Sequence, residues 1–169
     1  MILLGLGANL PSPKWGPPRQ TLEAALARLA DFGIRVAARS RWYESTAVPA
    51  SDQPNFVNGV VAVETDLGPR ELLERLHAVE AEFGRVRRVR WEARVVDIDL
   101  LAYHDLVTGD AAHQLQAMVL PHPRLQDRLF VLKPLAELAP QWRHPVLKRT
   151  AAELMAGLPE GDIVEPLKG

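Results

Sequence analysis

VVDIDLL, residues 95–101, alternates apolar and acidic side chains from Val96 to Leu100. A β-strand projects successive side chains to opposite faces. Val96, Ile98 and Leu100 can therefore be buried while Asp97 and Asp99 share the other face, about 7 Å apart by the rise of a strand. The stretch reads as a half-buried strand, and everything upstream of it falls into place as the body of one sheet.

Immediately before it runs RVRRVRWEAR, residues 85–94, a basic bend carrying Arg85, Arg87, Arg88, Arg90 and Arg94. PRELLERLHAVEAEFG (69–84) is an amphipathic helix with Pro69 in its first turn, an apolar stripe of Leu72, Leu73, Leu76, Val79 and Phe83, and Gly84 as its stop. FVNGVVAVET (56–65) is a strand, and STAVPASDQP (45–54) is a loop long enough to suspect function. IRVAARSRWYE (34–44) reads as one half-exposed strand, with Ile34, Val36, Ala38 and Trp42 on one side and Arg35, Arg39 and Arg41 on the other. TLEAALARLADFG (21–33) is a helix ending at Gly33, PSPKWGPP (11–18) a loop, ILLGLG (2–7) a buried strand, and GLGAN (5–9) a tight turn. The order β-α-β-β-α-β predicts an α+β, ferredoxin-like antiparallel sheet with its helices on one face. Downstream, LPHPRLQDRLFVLKPLAELAP (120–140) suggests a turn and helical segments interrupted at Pro134, and AAELMAGL a short terminal helix. Together they form a C-terminal helical extension. Residues 105–120 show no readable period.

The chain of 169 residues suits a single domain over 1–169. Its net charge of −1 makes the arginine cluster a local feature and argues against nucleic-acid partners. The absence of cysteine excludes disulfides, thiolate catalysis and cysteine-ligated zinc. No apolar run reaches membrane-spanning length, and Met1 leads into a strand without a basic n-region, so the expected location is the cytoplasm.

Two helices cover one face of such a sheet and leave the other for a site. If Val57, Val61 and Val63 face the helices, Phe56 and Asn58 join Asp97 and Asp99 on the open side, an aromatic ring, an amide and two carboxylates converging. Carboxylates for a metal beside guanidiniums for phosphate is the arrangement that phosphoryl transfer requires. The competing reading is a structural ion pair between the acids and the basic bend. Glu80 lies at the edge of its helix's apolar stripe, placed to reach solvent or a ribose hydroxyl. His122 sits between prolines. Arg124 and Arg128 are i,i+4 neighbours if that region is helical, and Trp91 can stack on a ring or pack.

Taken together, GLGANL, SRWYESTAVPASDQPNFVNGVVAVET, GRVR, RWEARVVDIDLLAY and LPHPRLQDRLFVLKPLAELAP resemble the 6-hydroxymethyl-7,8-dihydropterin pyrophosphokinase family over about residues 1–140. The resemblance implies transfer of ATP's pyrophosphoryl group to the pterin hydroxymethyl oxygen with release of AMP, a step of folate biosynthesis. It implies Asp97 and Asp99 as ligands of two Mg²⁺ ions, with Arg87 and Arg94 also catalytic. Ser45, Val48, Phe56, Asn58, Trp91 and Phe130 are implied for the pterin. Glu80, Arg87, Arg90, Trp91, Arg94, Leu100, His122 and Arg128 are implied for the nucleotide. The expected partners are these two small molecules, with no nucleic acid, no membrane and a monomeric state. The chain departs from the family's Arg-Trp-Gly-Pro-Arg by carrying Glu92-Ala93, which alters the bend's stiffness and adds a negative charge. The alternatives are a paralogous enzyme acting on a different pterin, or a ferredoxin-like RNA-binding module.

Overall fold

The computed structural model describes residues 1–46, 55–84, 95–108 and 118–168. In chain order the elements are β1 (Ile2–Ala8), α1 (Pro18–Leu29), a 3₁₀ turn Ala30–Phe32, β2 (Arg35–Arg39), β3 (Tyr43–Ser45), β4 (Phe56–Glu64) and α2 (Pro69–Glu82). β5 (Asp97–Tyr103), a second 3₁₀ turn Leu125–Asp127, α3 (Leu129–Leu138), α4 (Ala151–Ala156) and β6 (Val164–Pro166) follow. All pairings are antiparallel, in the order β5-β1-β4-β3-β6, with β2 also paired to β4. This is the ferredoxin-like arrangement, with an added edge strand.

α1 and α2 cover one face. Ile2, Leu4, Leu6, Val57, Val61, Val63, Ile98 and Leu100 from the sheet pack there against Leu22, Leu26, Leu29, Leu72, Leu76 and Val79 from the two helices. Their alternation along each strand is the one read from the sequence. The opposite face is not bare, however. Leu3, Val60, Ala62, Leu101 and Ala102 meet Val131, Leu132 and Leu135 of α3 and Ala151 of α4 in a second apolar cluster. The cavity occupies the part of that face left uncovered.

Three local expectations are corrected. Residues 34–44 make two strands, because the backbone breaks where Trp42 lies over Gly59; a Cβ at Gly59 would fall 2.6 Å from Trp42 Cε3. The break is sealed by Ser40, whose Oγ accepts the Val60 N–H at 3.0 Å and donates to the Arg41 carbonyl at 2.7 Å. Pro134 does not interrupt α3, which runs through it. The missing N–H costs a helical bond, but Leu132 and Leu135 on that turn are fully buried, each worth roughly 1.5–3 kcal/mol. GLGAN is not a turn: Gly5 to Ala8 continue β1.

α3 is clamped to the sheet through Glu137, which accepts the Tyr43 hydroxyl at 2.6 Å and the Arg41 backbone N–H and Nε at 2.7 Å each. The clamp fixes the helix whose first turn carries Phe130. Among the described residues no helix is long and apolar enough to cross a membrane.

His144 supplies a pH-sensitive element of this frame. It is buried, its Nδ1 accepts the N–H groups of Val146 and Leu147 at 3.1 Å each, and burial pushes its pKa below the ordinary 6.5. Below that value the unfolded chain takes up a proton that the folded chain resists, so stability is lost as pH falls. The melting temperature should drop between about pH 7.5 and 5.5. His144→Asn, which keeps an acceptor oxygen but does not titrate, should flatten the slope; an unchanged slope would exclude the role.

Candidate active site

A cavity of about 450 Å³ opens on the α3 side of the sheet, lined by Gly5, Gly7, Ser45, Phe56, Asn58, Asp97, Asp99, Arg128 and Phe130 among others. Its layout follows from strand register. Gly7 pairs with Asn58 of β4 on one side and with Asp97 of β5 on the other, and Gly5 pairs with Asp99. Directly paired residues point to the same face, so Asn58, Gly7 and Asp97 form one row across three strands. With strands about 4.8 Å apart, that row spans about 10 Å. A Cβ at Gly7 would lie 2.6 Å from Asn58 Nδ2, so the amide leans over Gly7 and only a residue without a side chain leaves it room. The glycines are therefore the floor of a slot with an amide at one end and carboxylates at the other.

Phe56 and Phe130 stand at the walls, and among the described residues neither ring stacks on another aromatic. Phe56 is 38% exposed, its ring bordering the cavity. Asn58 is buried, and its Oδ1 accepts the Ser45 hydroxyl at 3.1 Å, which turns the amide N–H₂ toward the slot. Ser45 is held opposite Phe56 by the β3–β4 pairing.

At the acidic end, Arg128 Nη1 approaches Asp99 Oδ2 to 3.8 Å, and the guanidinium lies 5.6 Å from the centre of the Phe130 ring. His122 is half-buried; its backbone N–H donates to the Leu101 carbonyl at 2.8 Å, and Nδ1 accepts the Arg124 N–H at 3.1 Å. Burial pushes the His122 pKa down, the Arg128 and Arg124 charges push the same way, and Asp97 opposes them. Its neutral ring thus offers an Nε2–H donor near the carboxylates.

The acid pair suits a hard divalent cation. Among the described residues no cluster of three or more His, Cys, Asp or Glu forms a closed metal cage. Two carboxylates fit Mg²⁺ nonetheless, because Mg²⁺ in nucleotide enzymes takes its remaining ligands from phosphate oxygens and water.

Ser45, Phe56, Asn58, Asp97, Asp99, Arg128 and Phe130 are thus brought to one cavity, and His122 stands near its acidic end. Two sequence candidates lie elsewhere. The Leu100 side chain is in the core beneath the helices. Glu80 is buried, 1% exposed, and its Oε2 accepts the Ile98 N–H at 2.9 Å; it anchors β5 between the two aspartates rather than reaching solvent. The i,i+4 geometry for Arg124 and Arg128 does not arise, since both flank a 3₁₀ turn. Val48, Arg85, Arg87, Arg88, Arg90, Trp91 and Arg94 fall outside the described residues. The glycine floor was missed by sequence reasoning; its signal was two glycines, spaced by two, inside an apolar strand.

The family model for 7,8-dihydro-6-hydroxymethylpterin-pyrophosphokinase matches residues 3–140. The chain belongs to this family. Its members are diphosphotransferases, and the chain is an enzyme of that class. Among similar proteins, a 2-amino-4-hydroxy-6-hydroxymethyldihydropteridine pyrophosphokinase of Pseudomonas aeruginosa is 41% identical over 99% of this chain and 97% of its own. One of Synechocystis sp. is 40% identical over 90% of this chain and 73% of its own. The folic acid synthesis protein fol1 of Schizosaccharomyces pombe is 34% identical over 95% of this chain, a match that spans 21% of that protein. The pyrophosphokinase match thus covers both walls of the cavity and its glycine floor.

Proposed function

We propose that the protein transfers the pyrophosphoryl group of ATP to the hydroxymethyl group of 6-hydroxymethyl-7,8-dihydropterin. The observation that carries this reading is the Asn58–Gly7–Asp97 row: the Asn58 amide leans over the side-chain-free Gly7 to meet the polar edge of a flat ring, whose substituent then points to the carboxylates. Phe56 and Phe130 stack on the ring faces, and the Asn58 amide, oriented by Ser45, reads the edge.

The hydroxymethyl oxygen attacks the β-phosphorus, the bond from that phosphorus to the oxygen bridging toward AMP breaks, AMP leaves, and the hydroxyl proton passes to solvent. Asp97 and Asp99 would hold Mg²⁺, as a pair of ions, which would supply charge neutralisation at the phosphate oxygens of ATP. Arg128 and the His122 Nε2–H offer cation and donor to the same phosphates, fixed before reaction so that little reorganisation is needed. The same reading assigns Arg87, Arg90, Trp91 and Arg94 to the nucleotide side, as guanidiniums and a ring that immediately precede the acid pair in the sequence. An acidic cavity and a net charge of −1 support small-molecule substrates over RNA, and the same reading takes the protein as a cytoplasmic monomer.

The label in ATP tests the bond that breaks. With label on the α-phosphorus all radioactivity should appear in AMP, and with label on the γ-phosphorus all of it should appear in the pterin product. Formation of ADP would overturn the reading.

Gly7→Ala tests the floor. Its methyl displaces the Asn58 amide, so pterin affinity should fall roughly 10-fold or more, the loss of one or two polar contacts. Gly5→Ala meets only the flexible end of Leu101, at 3.3 Å, and should cost far less. Equal effects in binding titrations would contradict the slot.

A further inference from the structure

The family model ends at residue 140, yet the chain's last turn returns to the cavity. β6 pairs with β3, Ser45 opposite Val164 and Tyr43 opposite Pro166. The Thr46 N–H donates to the Ile163 carbonyl at 3.2 Å, the Leu167 N–H to the Trp42 carbonyl at 2.8 Å, and Lys133 Nζ of α3 to the Val164 carbonyl. These ties hold the segment against the same strand that carries Ser45. Asp162, exposed, and Val164, buried, line the cavity, while Ile163 between them is 56% exposed.

We propose that Asp162 is a substrate-binding and specificity-determining residue of this chain, its carboxylate accepting hydrogen bonds from the N–H edge of the heterocycle; this rests on the pterin reading above. β6 lies at the opposite edge of the sheet order from β5, so Asp162 approaches the cavity from the side away from the strand of Asp97 and Asp99. It stands at the opposite end of the slot, past Asn58, where the ring's far edge lies when the hydroxymethyl group faces the acid pair. Among the described residues Asp162 makes no hydrogen bond or ion pair. An ionised carboxylate is an acceptor only, with two oxygens in a plane. It complements an amino group beside a ring N–H, two donors in a row, and such charge-assisted bonds are about twice as strong as neutral ones. A 2-oxo analogue, which replaces the amino donor by an acceptor, places two acceptors face to face.

The experiment compares wild type, Asp162→Ala and Asp162→Asn, with Ile163→Ala as the outward-facing control. Pterin affinity is read by equilibrium titration, KM for each substrate by AMP release, and folding by thermal melting. Asp162→Ala should weaken pterin binding about 10-fold or more while the ATP KM and melting temperature hold, and Ile163→Ala should match wild type. Wild type should prefer the 2-amino pterin over its 2-oxo analogue, and Asp162→Asn should narrow that preference. Unchanged pterin affinity and preference in both Asp162 variants, with wild type active, would overturn this inference alone. A wild type that neither binds the pterin nor releases AMP with it would overturn the functional reading and this inference with it.

Discussion

Asp97→Ala and Asp99→Ala each lower turnover by about 10³-fold or more, the scale of losing a preorganised group at developing phosphate charge, while the fold persists. The asymmetry follows from where the two carboxylates sit. Both lie half-buried on the cavity face, and the packing of β5 rests on Val96, Ile98 and Leu100 beneath the helices. Truncating a side chain away from the core usually changes stability within about 0.5 kcal/mol. Pterin binding without nucleotide should survive in both variants, because the slot's amide end is untouched. Rapid-quench turnover, melting curves and pterin titrations on the same preparations separate these claims. A variant that turns over at the wild-type rate would remove the metal role; a collapsed melting temperature would make the pair structural.

The second large effect is expected at the other end of the slot. Asn58→Ala removes the amide proposed to read the ring and leaves the Ser45 hydroxyl, buried beside it, without its acceptor. Losing such contacts costs about 1–3 kcal/mol, or roughly 5- to 150-fold in pterin affinity. The nucleotide, proposed to bind on the β5 side, should bind as before. Ser45→Ala should show a weaker copy of the same defect, since it frees the amide to rotate without removing it. If Asn58→Ala weakened ATP and pterin equally, the separation of the slot into two ends would fail.

How much of this was legible in the sequence depended on the range of the interaction involved. Period-two alternation placed Asp97, Asp99, Phe56 and Asn58 on one face, because face choice is set locally by the pleat. The amphipathic stripe of 69–84 gave α2 to the residue at its start. Glu80 escaped because an acid beside a stripe reads as solvated, whereas its carboxylate is spent on the Ile98 N–H, a partner 18 positions away. The split between β2 and β3 needed the knowledge that Trp42 would settle on Gly59. The three-residue β6 has no period to read; it exists because β3 offers an edge and Lys133 an anchor. The two glycines of β1 looked like turn signals, and only their cross-strand partners reveal them as a floor.

The central claim is that one cavity holds a hydroxymethyl pterin at its amide end and directs it to ATP at its acidic end. AMP release from Mg²⁺–ATP, followed with and without 6-hydroxymethyl-7,8-dihydropterin, tests it most directly. The account predicts one AMP per pterin consumed and negligible AMP without the pterin. AMP formation indifferent to the pterin, or none in its presence, would contradict it.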